Sequence, residues 1–298
     1  MTAVPFPEIP RRVREPIILL GAGRSGTTLL GDLFSGHPDV AFWGEPRPIW
    51  MHGNAYRRDH LLRAEHLTAR IARYIDRRFG EFLEASGKSR FAEKTPSNCL
   101  RIDFIRALYP DAKFVHVIRD GRAVVRSMVE IRKRGANAGL LRLRFRETPV
   151  SDWPAYFPLF LRTVWRTGVL GKPNVYWGTE PPGWRDWLSL PPHIMSARQW
   201  KALVTCSLED GRALSPDRYL EMRFEDLLSD PKAKLAQLLD FTGLADRDGF
   251  FEAALERIDR DMVRPWSSTL TAQQEEEVAR ELEPLLGELG YGQERDDA

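Results

Sequence analysis

A chain of 298 residues, 43% hydrophobic and 29% charged, can form one large α/β domain or two modest ones with an ample core. A formal net charge of +2 gives no global electrostatic case for nucleic acid, and the two cysteines, Cys99 and Cys206, supply neither a disulfide framework nor metal-ligand spacing. No apolar run is long enough to span a bilayer, and residues 1–15 lack the apolar centre of a signal peptide, so a soluble cytoplasmic protein without an integral membrane segment is expected.

Ile17-Ile18-Leu19-Leu20 predicts a short buried strand, followed by a glycine-rich turn and a helix from Thr27 to Ser35. Free backbone N–H groups converge in such a turn and make a receptor for a phosphate-like anion. The spacing from Gly21 to Gly26 fits an NTPase phosphate loop, but Thr27 and Thr28 stand where lysine and then Ser or Thr would. The cation lies inside the loop instead, at Arg24. An anion is expected here, without the usual provision for nucleoside triphosphate and Mg²⁺.

Gly36-His37-Pro38 ends the helix, and Val40-Ala41-Phe42-Trp43 is an extended segment that delivers Glu45 into a loop closed by Pro46 and Pro48. Apolar residues at helical spacing predict a helix over 59–85, with its arginines on a solvated face. Phe91-Ala92-Glu93-Lys94 reads as a strand, after which Ser97 or Asn98 caps a helix to Leu108. The apolar run Lys113 to Ile118 predicts a central parallel strand, and Arg119-Asp120-Gly121 turns it into a helix over 122–134. Residues 135–194, rich in Pro, Gly and Trp, break the alternation and read as a lid or acceptor-binding insertion over the active-site mouth. A helix over 196–208, a strand over 219–224, a helix over 231–242 closed by Gly243, and a helix over 271–289 capped by Thr271 complete the chain.

This alternation predicts a single α/β domain over 1–298, a P-loop-like three-layer α/β/α fold with a mostly parallel central sheet and an aromatic-rich insertion. Ligands of such sheets bind beyond the carboxyl ends of the strands. Gly21 to Thr28, Glu93-Lys94 and Arg119 to Ser127 all fall there. Arg119 with Ser127, about two helical turns on, suits a second phosphate, so a ligand anionic at both ends is implied.

Gly23-Arg24-Ser25-Gly26-Thr27-Thr28-Leu29, taken with Phe114 to Arg122 and Ser127, resembles the nucleotide-binding motifs of PAPS-dependent sulfotransferases. The Arg-Ser-Gly-Thr-Thr version is similar to the bacterial branch and to tyrosylprotein sulfotransferases; the cytosolic steroid and phenol enzymes tend to carry Lys in place of Arg24. His37-Pro38-Asp39-Val40, Gly44-Glu45, Glu93-Lys94-Thr95-Pro96, the run from Arg218 to Leu227 and Leu289-Gly290-Tyr291 also resemble that branch. The likeness covers roughly residues 15–130 and 196–291.

The resemblance implies PAPS as donor, PAP as product and no metal. Arg24, Ser25, Gly26, Thr27 and Thr28 would hold the 5′-phosphosulfate, and Arg119 with Ser127 the 3′-phosphate. Glu45, at the position of the tyrosylprotein-type catalytic glutamate and partly desolvated by Trp43 and Pro46, is the expected general base. As a plain loop carboxylate it would instead pair with Arg47 or Arg24. Arg24 and Lys94 are the cations expected to meet charge on the bridging oxygen. Trp266 occupies a donor-loop position, and either stacks on adenine or packs under the last helix.

The acceptor would be a hydroxyl of a small molecule, glycan, lipid or peptide, with Trp153, Tyr156, Trp177 and Trp184 available to line its pocket. The chain departs from the cytosolic enzymes in having no histidine between Phe91 and Pro96. His116 is expected in the core and His37 at a helix end; His52 and His193 are loop residues and reserve bases. Three other readings stand beside this one. Gly21-x-Gly23-x-x-Gly26 also fits a dinucleotide fingerprint, a P-loop-type nucleotide kinase would need the missing lysine with Asp120 as metal ligand, and a non-catalytic nucleotide-binding protein would keep the donor site alone.

Overall fold

A computed structural model describes residues 10–134, 178–258 and 270–292. Five strands, β1 (Ile17–Leu20), β2 (Val40–Gly44), β3 (Arg90–Lys94), β4 (Lys113–Ile118) and β5 (Tyr219–Arg223), form one sheet in the order β2-β3-β1-β4-β5. Every pairing is parallel: Leu19 of β1 lies opposite Lys94 on one side and Val115 on the other. β1 is buried throughout and β4 almost so, which is why both read as unbroken apolar runs.

Side chains alternate between two cores. Ile18, Leu20, Phe91 and Phe114 face one of them, covered by α2 (Arg47–Trp50), α3 (Ala69–Ser86), α4 (Ile102–Leu108), α5 (Gly121–Arg134), α6 (Pro192–Arg212) and α10 (Ala272–Glu288). Ile17, Leu19, Ala92, Val115 and Val117 face the other, covered by α1 (Thr27–Ser35), α7 (Phe224–Ser229), α8 (Pro231–Thr242) and α9 (Phe250–Arg257). The result is the expected three-layer α/β/α arrangement. Among the described residues, no helix is long and apolar enough to cross a membrane.

Several boundaries differ from expectation for local reasons. The helix expected over 59–85 starts only at Ala69, where the Thr68 side chain accepts from the Ile71 N–H. Before it, Asp103 holds the Ala64 N–H and a 3₁₀ turn spans Ala64–His66. Leu62 and Leu67 reach the core from this irregular segment, mimicking helical periodicity. Neither Ser97 nor Asn98 caps a helix: Pro96–Leu100 is a 3₁₀ turn, and the Asn98 amide is taken by Glu93. α6 begins at Pro192, with proline in the first turn, so His193 is helical rather than in a loop. α8 and Gly243 fall where expected, and Thr271 with Gln274 forms a capping box on α10.

Most of the expected insertion, residues 135–177 with Trp153, Tyr156, Trp165 and Trp177, lies outside the described residues, as does Trp266. Its last part is anchored to the loop before the Ala64 turn. His60 N–H donates to the Glu180 carbonyl at 2.8 Å, Glu180 N–H to His60 Nδ1 at 3.0 Å, and the Trp184 indole to the Arg58 carbonyl at 2.9 Å.

Candidate active site

The loop after β1 is shaped by two glycines. A Cβ on Gly26, whose φ is 89°, would lie 2.1 Å from the Phe224 ring. One on Gly21 would meet Thr27 Cγ2 at 2.6 Å and the Val117 carbonyl at 2.8 Å. Between them Arg24 adopts φ 75°, a left-handed conformation uncommon outside glycine. Ser25 N–H closes the turn on the Ala22 carbonyl at 3.1 Å, and α1 starts at Thr27 with its first N–H groups unused by the helix. Ser25 is fully buried and its hydroxyl has no partner among the described residues.

On the neighbouring strand β4, Ile118 hands over to Arg119, which is only 7% exposed. Its Nη1 donates to the Arg24 carbonyl at 3.3 Å, and its guanidinium lies 4.9 Å from the Phe224 ring centroid. Burial lowers its pKa from the usual arginine value, yet it stays charged at neutral pH. Ser127, buried in α5, accepts from Arg24 Nε at 3.0 Å. The structure therefore brings Arg24, Arg119 and Ser127 together, with Phe224 beneath both the loop and the guanidinium.

Asp120 is engaged otherwise: its carboxylate is clamped by Arg122 Nε at 3.1 Å and Nη2 at 2.7 Å. That arrangement makes a helix-entry clamp of the one residue a kinase reading would use for metal. Glu225 accepts from the Asp120 N–H at 3.0 Å and from the Tyr291 hydroxyl at 2.7 Å, so the C-terminal Leu289-Gly290-Tyr291 run anchors the same strand ends.

Glu45 and Lys94 meet across the β2–β3 edge. The ladder runs one residue past Gly44, with Glu45 N–H donating to the Lys94 carbonyl at 2.8 Å. Lys94 Nζ donates to Glu45 Oε1 at 2.9 Å, and Arg47 Nη2 lies 3.2 Å from Oε2. Glu45 thus pairs with Arg47 and Lys94, and it too has a positive φ, 58°. The Glu45, Lys94, Arg24 and Arg119 positions follow consecutive strands β2, β3, β1 and β4. At the usual spacing this row spans roughly 14 Å.

The histidines are engaged elsewhere. His116 is buried, bonded through Nδ1 to the Tyr219 hydroxyl at 2.7 Å, and held down to about 3 by burial. His37 bridges Asp39 and the Ala245 carbonyl, His52 stacks on Tyr74 at 3.7 Å, and His193 bonds Glu277 at 2.7 Å.

Two carboxylates were given no role by sequence reasoning, although Glu93 fell in one of its strand-end clusters. Glu93 is wholly buried, and burial pushes its carboxyl up to about 7 against hydrogen bonds from Thr95 and Asn98. Glu180 is likewise pushed up to about 7 by burial, opposed by the charges of Arg185 and Arg47. Glu93 shared the core face with Phe91, a polar residue on an apolar stripe, and that was the available signal. Glu180 had none, because only its pairing with His60 brings it near Arg47.

Comparison with known proteins accords with this geometry. A family model described as the sulfotransferase family matches residues 16–163 and 175–248. Nodulation protein NoeE of Sinorhizobium fredii (strain NBRC 101917 / NGR234) is 31% identical over 125 residues, 37% of this chain and 30% of that protein. The protein-tyrosine sulfotransferase of Drosophila melanogaster is 32% identical over 127 residues, 38% of this chain and 25% of that protein. The chain thus spans well under half the length of either relative. A solved sulfotransferase domain from the curacin biosynthetic pathway shares the fold, with a TM-score of 0.54 at 16% identity over 91% of this chain and 98% of that one. With the 21–28 loop, Arg119 and the Glu45–Lys94 pair all at adjacent strand ends, and with most of its length matched by the family model, the chain belongs to the sulfotransferase family.

Proposed function

We propose that this chain transfers a sulfonate group from PAPS to a hydroxyl acceptor. The observation that carries the reading is the convergence of Arg24, Arg119 and Ser127 through the Arg24 Nε–Ser127 Oγ bond and the Arg119–Arg24 carbonyl contact. One nucleotide anionic at both ends accounts for two receptors sharing one wall. The donor supplies an activated sulfonate on a phosphate leaving group. The residues present fit it: Ser25 keeps a buried hydroxyl without a partner, and Arg119 makes no ion pair among the described residues.

Thr27, Thr28 and the loop N–H groups hold the 5′ end in this reading, while Arg119 and Ser127 hold the 3′-phosphate. Trp266 is assigned to the adenine. Glu45, paired with Lys94 and Arg47, takes the proton of the acceptor hydroxyl in this reading. Once protonated, Glu45 would hold Lys94 less tightly, and Lys94 and Arg24 would be the cations available to charge developing on the donor's leaving oxygen as its bond to sulfur breaks. The acceptor side is assigned to the end of the insertion, where Glu180 and Trp184 border the 58–60 loop. Cys99 and Cys206 are free thiols, which suits a reducing, cytoplasmic setting.

The test is a mass-spectrometric screen of the protein with PAPS and a metabolite extract. Products heavier by one SO₃, formed by the parent and lost in Glu45→Gln, support the reading. Donor binding without any such product leaves a non-catalytic nucleotide-binding protein as the better description.

A further inference from the structure

A carboxylate with no exposed surface is expensive to fold around unless hydrogen bonds satisfy it, and an apolar residue of similar size would often serve stability better. Glu93 is such a group, in β3 between Ile18 of β1 and Trp43 of β2. Thr95 Oγ1 donates to its Oε2 at 2.7 Å and Asn98 Nδ2 to its Oε1 at 2.5 Å. The buried Trp50 indole N–H lies close enough to favour the ionised form but does not complete a well-formed hydrogen bond. Arg101, 1% exposed, is the charged group facing it, joined to Asn98 Oδ1 at 3.2 Å and to the His60 carbonyl at 3.1 Å.

These contacts touch both segments that carry the reactive ion pair. Thr95 directly follows Lys94, and Trp50 ends the short helix that opens two residues after Glu45. We propose that Glu93 is a positioning residue that fixes the geometry of the Glu45–Lys94 pair from beneath the sheet edge, through Thr95 on one side and Trp50 on the other. The inference rests on reading Glu45 and Lys94 as the reacting pair. An ionised Glu93 accepts from the Thr95 hydroxyl and the Asn98 amide, with the Trp50 indole N–H turned toward it. A protonated one must donate through one oxygen, and the Asn98 and indole N–H groups cannot reverse their roles. The neighbouring pair therefore reports the state of Glu93, which titrates near neutrality because burial raises it to about 7.

The test uses the full chain labelled with ¹³C at glutamate carboxyls and follows Glu45 and Glu93 by NMR across pH 5 to 9. In the parent, the Glu45 line should show an inflection near pH 7 that coincides with that of Glu93. Glu93→Gln should abolish the inflection, and Thr95→Val, which removes one donor to the ionised form, should move both lines to higher pH together. Should Glu93→Gln fail to fold, Thr95→Val decides. A Glu45 line without that inflection, or with one that neither variant moves, overturns the proposal. In turnover, Glu93→Gln should lower kcat about tenfold while leaving the KM for PAPS within about twofold. If Glu45→Gln leaves turnover unchanged while the NMR coupling is present, the catalytic reading fails and the positioning contact stands.

Discussion

Arg24 and Glu45 both hold backbone conformations with positive φ, 75° and 58°. For residues other than glycine each costs on the order of 1 kcal/mol and persists only where surroundings impose it. Arg24→Gly should therefore leave the melting temperature equal or higher while turnover collapses; a parallel loss of both would assign Arg24 a structural role. If Glu45 is the general base proposed here, Glu45→Gln should lower turnover about 10² to 10⁴-fold, with PAP affinity nearly kept.

Two buried titrating groups set opposing pH dependences. His116 is held near 3 when folded against 6.5 for the free residue, so its contribution is whole above about pH 6.5 and disappears as pH falls toward 3, about 5 kcal/mol in all. Glu93 is raised from 4.5 to about 7, so its contribution is whole below about 4.5 and disappears as pH rises through 7, about 3 kcal/mol. Melting curves should show His116→Gln gaining on the parent at pH 4 and Glu93→Gln gaining at pH 8. Gains of the opposite sign would mean the burial argument is wrong for these groups.

Elements were legible where sequence neighbours decide the outcome. β1, its loop and α1 follow from the adjacent residues Ile17 to Ser35, and α8 ends at Gly243 with φ 67° because its cap is local. Phe224 shows the opposite case. It reads as the last residue of a strand but opens α7, where its ring underlies Gly26 and Arg119 at once. That contact joins residues about two hundred positions apart, and no local pattern announces it. Gly26→Ala should abolish PAP binding while the sheet survives, since the added methyl collides with the Phe224 ring and the φ of 89° disfavours any side chain. Retained affinity in that variant would show that the loop tolerates a different shape from the one seen here.

At the scale of the whole molecule, the strand order decides which distant residues become neighbours. Placing β1 between β3 and β4 puts Lys94 beside the 21–28 loop on one side and Arg119 on the other. The sequence implied the parallel sheet and the strand-end location of all three clusters, because alternation and chain order carry that information. It could not reveal that Glu45 and Lys94 form an ion pair, since that depends on β2 lying at the sheet edge in register with β3. The family assignment rests on this layout together with the matched length.

The most direct measurement is calorimetric titration of the parent and of Arg119→Ala with adenosine 3′,5′-bisphosphate and with adenosine 5′-phosphosulfate. If one nucleotide bridges the two receptors, the variant should lose more than about tenfold for the bisphosphate, about 1.4 kcal/mol, and change little for the phosphosulfate. Equal losses for both ligands, or none for either, would contradict a 3′-phosphate seat at Arg119.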